Sequence, residues 1–140
     1  EKIGAVVSNR FGKWSVAEND RLWSFQCDTM IPELFYAPDG RSLIAVFKHA
    51  GYWDIAVNGH AWGLSADKLW TPVVSSDGRV LATRMEKDGG CYLVVNGTVY
   101  KERFDQVFEP AIGPDNDKIL LKSVKNGIYS RQILGLDTIL

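Results

Sequence analysis

The sequence lacks most of the features that announce chemistry. Charge of one sign is missing: 16 basic and 17 acidic residues leave a net charge of −1. Such a chain has no global field to draw in nucleic acid or an anionic membrane. Long apolar runs are missing too, the longest, such as Leu43 to Phe47, being five residues. A membrane-spanning helix needs about 20, so no direct membrane insertion is expected. Only two cysteines occur, Cys27 and Cys91, 64 residues apart. A disulfide framework uses more, at regular spacings, so two free thiols in a reducing compartment are expected. The expected location is the cytoplasm, with the periplasm as the alternative.

Catalytic signatures are equally scarce. Cys27 lies beside Asp28 with no nearby base, which gives little support to a thiolate nucleophile. Neither cysteine begins a Cys-x-x-Cys-His haem signature. The two histidines, His49 and His60, are eleven residues apart and match no zinc-ligand spacing; both read as solvated. No serine sits in a Gly-x-Ser-x-Gly elbow. Gly89–Gly90 reads as a hairpin tip, not a phosphate-cradling loop. Glu33, Asp67, Asp105 and Glu109 fall in loops or at strand starts, where carboxylates are mostly solvated. The chain is therefore expected to be non-enzymatic and to use no cofactor and no metal.

What is present is a repeat. The chain has 140 residues, enough for one domain, with five tryptophans and 13 glycines. Glycine followed two places later by a large ring occurs at Gly12–Trp14, Gly51–Trp53, Gly90–Tyr92 and Gly127–Tyr129, stepping by 39, 39 and 37. Asn-Gly-like steps occur at Asn19–Asp20, Asn58–Gly59, Asn96–Gly97 and, more weakly, Leu134–Gly135, stepping by 39, 38 and 38. Three residues beyond each stand Trp23, Trp62, Tyr100 and Thr138. A third marker, Asp39–Gly40, Asp77–Gly78 and Asp115–Asn116, steps by 38 and 38. Three markers in one order and one period define units of about 38 residues, at 1–40, 41–78, 79–116 and 117–140 of a single domain.

Each unit reads as a four-stranded antiparallel meander. A short apolar run follows each Asp-Gly-type turn, as in Leu43 to Phe47. Alternating aromatic and β-branched residues then lead into Asn-Gly, the strongest short hairpin signal. Strands of four to seven residues and little or no helix are expected. A lone meander cannot bury both faces, but stacked meanders can, which is the logic of propeller blades. The fold class is thus all-β and β-propeller-like, with a sandwich or open barrel as the alternative. Trp14, Trp53, Tyr92 and Tyr129 are expected to fill the space between units. Glu1 to Ile3 aligns with Asp117 to Ile119, so unit one is expected to lack its first strand. That open edge makes the chain part of a longer propeller, a ring with one thin blade, or an arc completed by another chain.

The segments Ala37–Pro38–Asp39–Gly40–Arg41–Ser42–Leu43–Ile44–Ala45 and Ser76–Asp77–Gly78–Arg79–Val80–Leu81–Ala82 resemble the Ser-Pro-Asp-Gly-Lys-x-Ile-Ala signature of TolB-type and WD-like propeller blades. The third unit has Ser76 where the signature has proline, and the fourth has Asn116 for its glycine. Together with the Trp-x-x-x-Val-Asn-Gly strand, the pattern is also similar to the tryptophan-rich TmcD subunit family of a transmembrane electron-transfer complex in sulfate-reducing bacteria. That resemblance implies a cytoplasmic, non-catalytic accessory subunit.

Asp39, Asp77 and Asp115 read as turn residues whose carboxylates accept from the backbone two residues on. Calcium, the alternative, needs six to eight oxygens. Rings that follow the repeat, such as Trp23 and Trp62, read as core. Rings that break it are the candidate binding residues: Phe11, Phe25, Tyr36, Tyr52 and Phe104. The expected function is a protein-interaction or accessory-subunit domain, meeting a protein partner or another copy through the open edge. The alternatives are a small-ligand or carbohydrate module built on aromatic faces, and a hydrolase remnant.

Overall fold

The computed structural model describes residues 1–140, the side chain of Asn9 excepted. Every strand pairing among the described residues is antiparallel, and the strands form four sheets. Sheet 1 holds β1 (Gly4–Arg10), β2 (Lys13–Glu18) and β3 (Arg21–Leu22). Sheet 2 holds β4 (Met30–Tyr36), β5 (Leu43–His49), β6 (Tyr52–Val57) and β7 (His60–Ala61). Sheet 3 holds β8 (Lys68–Leu69), β9 (Val73–Val74), β10 (Leu81–Lys87), β11 (Gly90–Val95) and β12 (Thr98–Val99). Sheet 4 holds β13 (Gln106–Val107), β14 (Ala111–Ile112), β15 (Lys118–Lys125) and β16 (Ile128–Gly135), followed by the helical turn α1 (Leu136–Ile139).

The turns explain the hairpins. Asn58–Gly59 and Asn96–Gly97 have φ of 51° and 86°, and 49° and 81°. Positive φ at both central residues gives the twist that a right-handed hairpin needs. The asparagine side chain adds a clamp. Asn58 Oδ1 accepts the Leu43 N–H while its own N–H donates to the Leu43 carbonyl. Asn96 does the same with Leu81, and Asn19 with Ile3. Leu134–Gly135, aligned with these turns by spacing, is not a turn. It ends β16, Gly135 has φ −70°, and Thr138 falls in α1. Leucine offers neither the side-chain acceptor nor the tolerance of left-handed φ that asparagine does.

Strand lengths depart from the expected four to seven residues. Nine strands have six to eight residues and seven have only two. Proline is one cause. Pro72 lies between β8 and β9 and Pro110 between β13 and β14, while Pro32 sits in β4 where its register with β5 shifts. Proline lacks the ladder N–H and belongs on edges and bulges.

The sheets stack in chain order. Cross-strand partners share a face, so Ile44 with Val57 and Val46 with Ile55 form one face of sheet 2. That face packs on Leu81, Leu69 and Val74 of sheet 3. The opposite face, with Leu43, Ala45, Phe47 and Ala56, packs on Val16 and Trp23 of sheet 1. Ala82, Leu93 and Val95 of sheet 3 pack on Ile119 and Leu121 of sheet 4. Sheets 2 and 3 are thus covered on both faces. Sheets 1 and 4 are covered on one.

Unit one has three strands, with β1 in the place of β5, β10 and β15. As expected, it lacks its first strand, the one ahead of β1, whose place is held by β4, by β8 and β9, and by β13 and β14 in the other sheets.

The ring positions need a correction. Isolated bridges pair Trp14 with Cys27, Trp53 with Ala66 and Cys91 with Phe104. Cys91, not Tyr92, therefore stands where Trp53 stands in sheet 2. The hairpin glycine is Gly89 (φ 77°), not Gly90. A slip of one residue turns a side chain to the other face, and Tyr92 packs with Leu64, Met85 and Val94 between sheets 2 and 3. The volume is kept: each bridge pairs one ring with one small residue, and in sheet 3 the ring has crossed to the partner strand. Phe104 is 3% exposed. Trp14 and Tyr129 are instead 38% and 53% exposed, so they do not fill space between units.

Candidate functional site

Two aromatic recesses lie where sheets 1 and 2 meet. The first, of about 300 Å³, is lined by Phe25, Phe47, His49, Tyr52, Trp53 and Asp54. The β5–β6 hairpin positions it. Its turn, Ala50–Gly51, has positive φ at both residues, and it is anchored by Asp28, in the segment between β3 and β4. Asp28 Oδ1 accepts the Ala50 N–H at 3.0 Å, and the Asp28 N–H donates to His49 Nδ1 at 3.2 Å. The backbone bond from Ala50 and the Thr29 hydroxyl hold the Asp28 carboxyl below its ordinary range.

Phe25 forms the floor, its ring 4.7 Å from that of Phe47 and 5.7 Å from that of Trp23. Tyr52 is 49% exposed on the rim. Lys48 Nζ lies 5.6 Å from the Trp53 ring, a cation–π contact. Asp54 is committed to structure: its carboxylate accepts the N–H groups of Ile55, Gly63 and Leu64. The recess therefore offers rings and one partly satisfied imidazole, a chemistry of apolar contact and hydrogen bonding.

The second recess, of about 550 Å³, lies between the β2–β3 and β6–β7 turns, with Glu18, Arg21, Trp23, Arg41 and His60 around it. The half-buried Trp23 indole sits over the next sheet's turn. A Cβ on Gly59 would lie 3.4 Å from that ring, and one on Gly97 3.0 Å from Trp62. Trp23 and Trp62 are thus wedges between successive sheets, each with one face occupied by a glycine.

The five sequence candidates do not converge. Phe25 and Tyr52 share the first recess. Phe11 stands fully exposed at the β1–β2 turn. Tyr36, half-buried in β4, packs on the core between sheets 1 and 2. Among the described residues its hydroxyl has no hydrogen-bond partner, and burial pushes its pKa up, aided by the Glu18 charge. Phe104 is core.

Two of the three recurring aspartates act as turn residues. Asp39 and Asp77 accept the N–H groups of Arg41 and Arg79, two residues on. Sequence reasoning missed a second series, Asp28 and Asp67, which accept the turn N–H groups of Ala50 and Asp88. Its 39-residue step was visible in the sequence. Also missed was Arg84, whose guanidinium lies 4.6 Å from the Trp70 ring and donates to the Val107 carbonyl of sheet 4.

Both cysteines are free and buried. Burial raises the pKa of each, which disfavours the reactive thiolate. No described helix is long and apolar enough to cross a membrane. Compared with known proteins, the chain matches no family model and none of the curated sequences.

Proposed function

We propose that this chain is a protein-interaction domain whose stacked sheets are propeller-like blades and whose first recess receives an apolar side chain of a protein partner. One observation carries the reading: Tyr52 stands half out of the surface beside Phe25 and Trp53, over a recess of about 300 Å³. An exposed ring on the rim of a ring-lined recess is the usual chemistry of an interface anchor. The partner's backbone has a place to add as well, since β1 pairs only with β2 and leaves its other edge without a strand. An accessory role in an electron-transfer complex is one form this function takes, motivated by the sequence resemblance alone.

The test is affinity capture with the wild-type chain and with Tyr52→Ala. A partner recovered in stoichiometric amount by the wild type, and lost with the variant at unchanged melting temperature, supports the reading. Equal recovery with both refutes it.

A second reading is favoured by the larger recess. Trp23, Arg21, Arg41 and His60 surround about 550 Å³, an arrangement suited to a polar small ligand such as a carbohydrate. Tryptophan fluorescence titrated with a glycan panel tests it. Quenching that disappears in Arg41→Ala supports this reading over the first.

A further inference from the structure

The two end sheets carry the two halves of one interface that the molecule already uses three times. Consider the face each sheet offers to the sheet before it. In sheet 2 this is the row Leu43, Ala45, Phe47, with Ala56 opposite Ala45. These residues are 1%, 0%, 5% and 0% exposed because sheet 1 covers them. Sheet 1 carries the same row on its outer face: Ile3, Ala5, Val7, with Ala17 opposite Ala5. The alignment is fixed by hydrogen bonding, since Ile3 N–H donates to Asn19 Oδ1 as Leu43 N–H donates to Asn58 Oδ1. In sheet 1 no sheet of the described residues lies over this row: Ile3, 65% exposed, and Ala5 are open, and Val7 and Ala17 are half-buried.

Now consider the face each sheet offers to the sheet after it. In sheet 2 it carries Ile44, Val46, Ile55 and Val57, covered by sheet 3. In sheet 4 the same places hold Leu120, Lys122, Arg131 and Ile133, with Val124 opposite Tyr129. Ile133 is 72% exposed. The adjacent cations Lys122 and Arg131 do not forbid coverage. Arg84 holds the Lys122 place in sheet 3, four residues before its turn, and lies beneath sheet 4 with its Nη1 donating to the Val107 carbonyl.

We propose that copies of this chain associate head to tail, the outer face of sheet 1 in one copy packing on the outer face of sheet 4 in the next. The contact continues the sheet-on-sheet stacking already present between sheets 1 and 2, 2 and 3, and 3 and 4. The occupant we propose is a second copy of this chain, whose sheet 4 offers the places that meet such a row elsewhere in the stack. The contact is heterologous, so it closes into a ring if the rotation allows and otherwise extends as an open chain. It uses faces, not the strand edge or the aromatic recess, and Tyr52→Ala leaves it intact, so its failure and that of the recess reading are separable.

Sedimentation velocity over a wide concentration range tests it, using two exposed-site variants, Ala5→Glu and Ile133→Glu. Both are expected to keep the wild-type circular dichroism and melting temperature. The wild type associates as concentration rises, and each variant alone is monomeric. An equimolar mixture of the two variants forms a one-to-one dimer and nothing larger, because one intact sheet 1 face meets one intact sheet 4 face. A wild-type chain that stays monomeric at every concentration overturns the proposal. So does association that survives both substitutions, or a mixture that remains monomeric.

Discussion

Gly97 shows how tightly single residues are specified in this repeat. It has φ 81°, and a Cβ there would stand 3.0 Å from Trp62 Cγ. Gly59 has φ 86° with Trp23 at 3.4 Å. Left-handed backbone costs a non-glycine residue about 1–2 kcal/mol, and this term is common to both. The closer ring adds a steric term at Gly97. Gly97→Ala is therefore expected to lower stability more than Gly59→Ala, by urea denaturation followed at the tryptophan emission. Equal losses would mean that φ alone requires these glycines.

Asp77 gives a pH signature at the same scale. The Ser75 hydroxyl donates to its carboxylate at 2.6 Å, with the Arg79 N–H second, and together they hold its pKa below the ordinary 3.8. A depressed carboxyl favours the folded state wherever the unfolded chain binds more protons. The contribution is complete above the unfolded value and fades as pH falls through the folded one. Wild type is expected to exceed Asp77→Asn in urea midpoint by a constant margin from about pH 7 to pH 5, narrowing below about pH 4. A margin independent of pH would remove the carboxylate from the account.

Among the elements, the ring exchanged across the sheet 3 bridge makes a coupled prediction. Phe104→Ala removes a buried ring and is expected to cost about 3–5 kcal/mol. Cys91→Trp alone overfills the same space. Combined, the two restore the ring-and-small arrangement of Trp53 and Ala66, so the double variant is expected to be more stable than Phe104→Ala alone. A double-mutant cycle in chemical denaturation measures the coupling; additive losses would show that the two positions do not share one space.

That exchange also marks where the sequence stops being readable. The Asn-Gly and Asp-Gly turns were legible because φ and side-chain acceptors act locally, within a few residues of Asn58 or Asp39. The place of Phe104 was not, because its ring fills a volume that tryptophan fills from the other strand in sheets 1 and 2. Tyr92 was misread for a related reason: two adjacent glycines left the register ambiguous by one residue. The two-residue strands at β7 and β12 carry too few side chains to show an alternation. Phe25 and Tyr52 stood out as rings that break the repeat, but only contact between sheets brings them to one recess. Tyr36 broke the repeat equally and packs into the core.

At the level of the whole molecule, each interior sheet is held by its two neighbours and each end sheet by one. Stability in such a series is approximately a sum of sheet and nearest-neighbour terms, as in a one-dimensional lattice. The lattice has ends, and unfolding is cheapest there. Amide hydrogen exchange in the monomer should therefore grade along the chain and not simply follow strand length. The long strands β1 and β16 exchange early through partial opening, while Ala45, Val46 and Thr83, in the central strands of sheets 2 and 3, exchange last, near the global unfolding limit. Uniform protection across all four sheets would instead mean that the molecule opens as one cooperative unit.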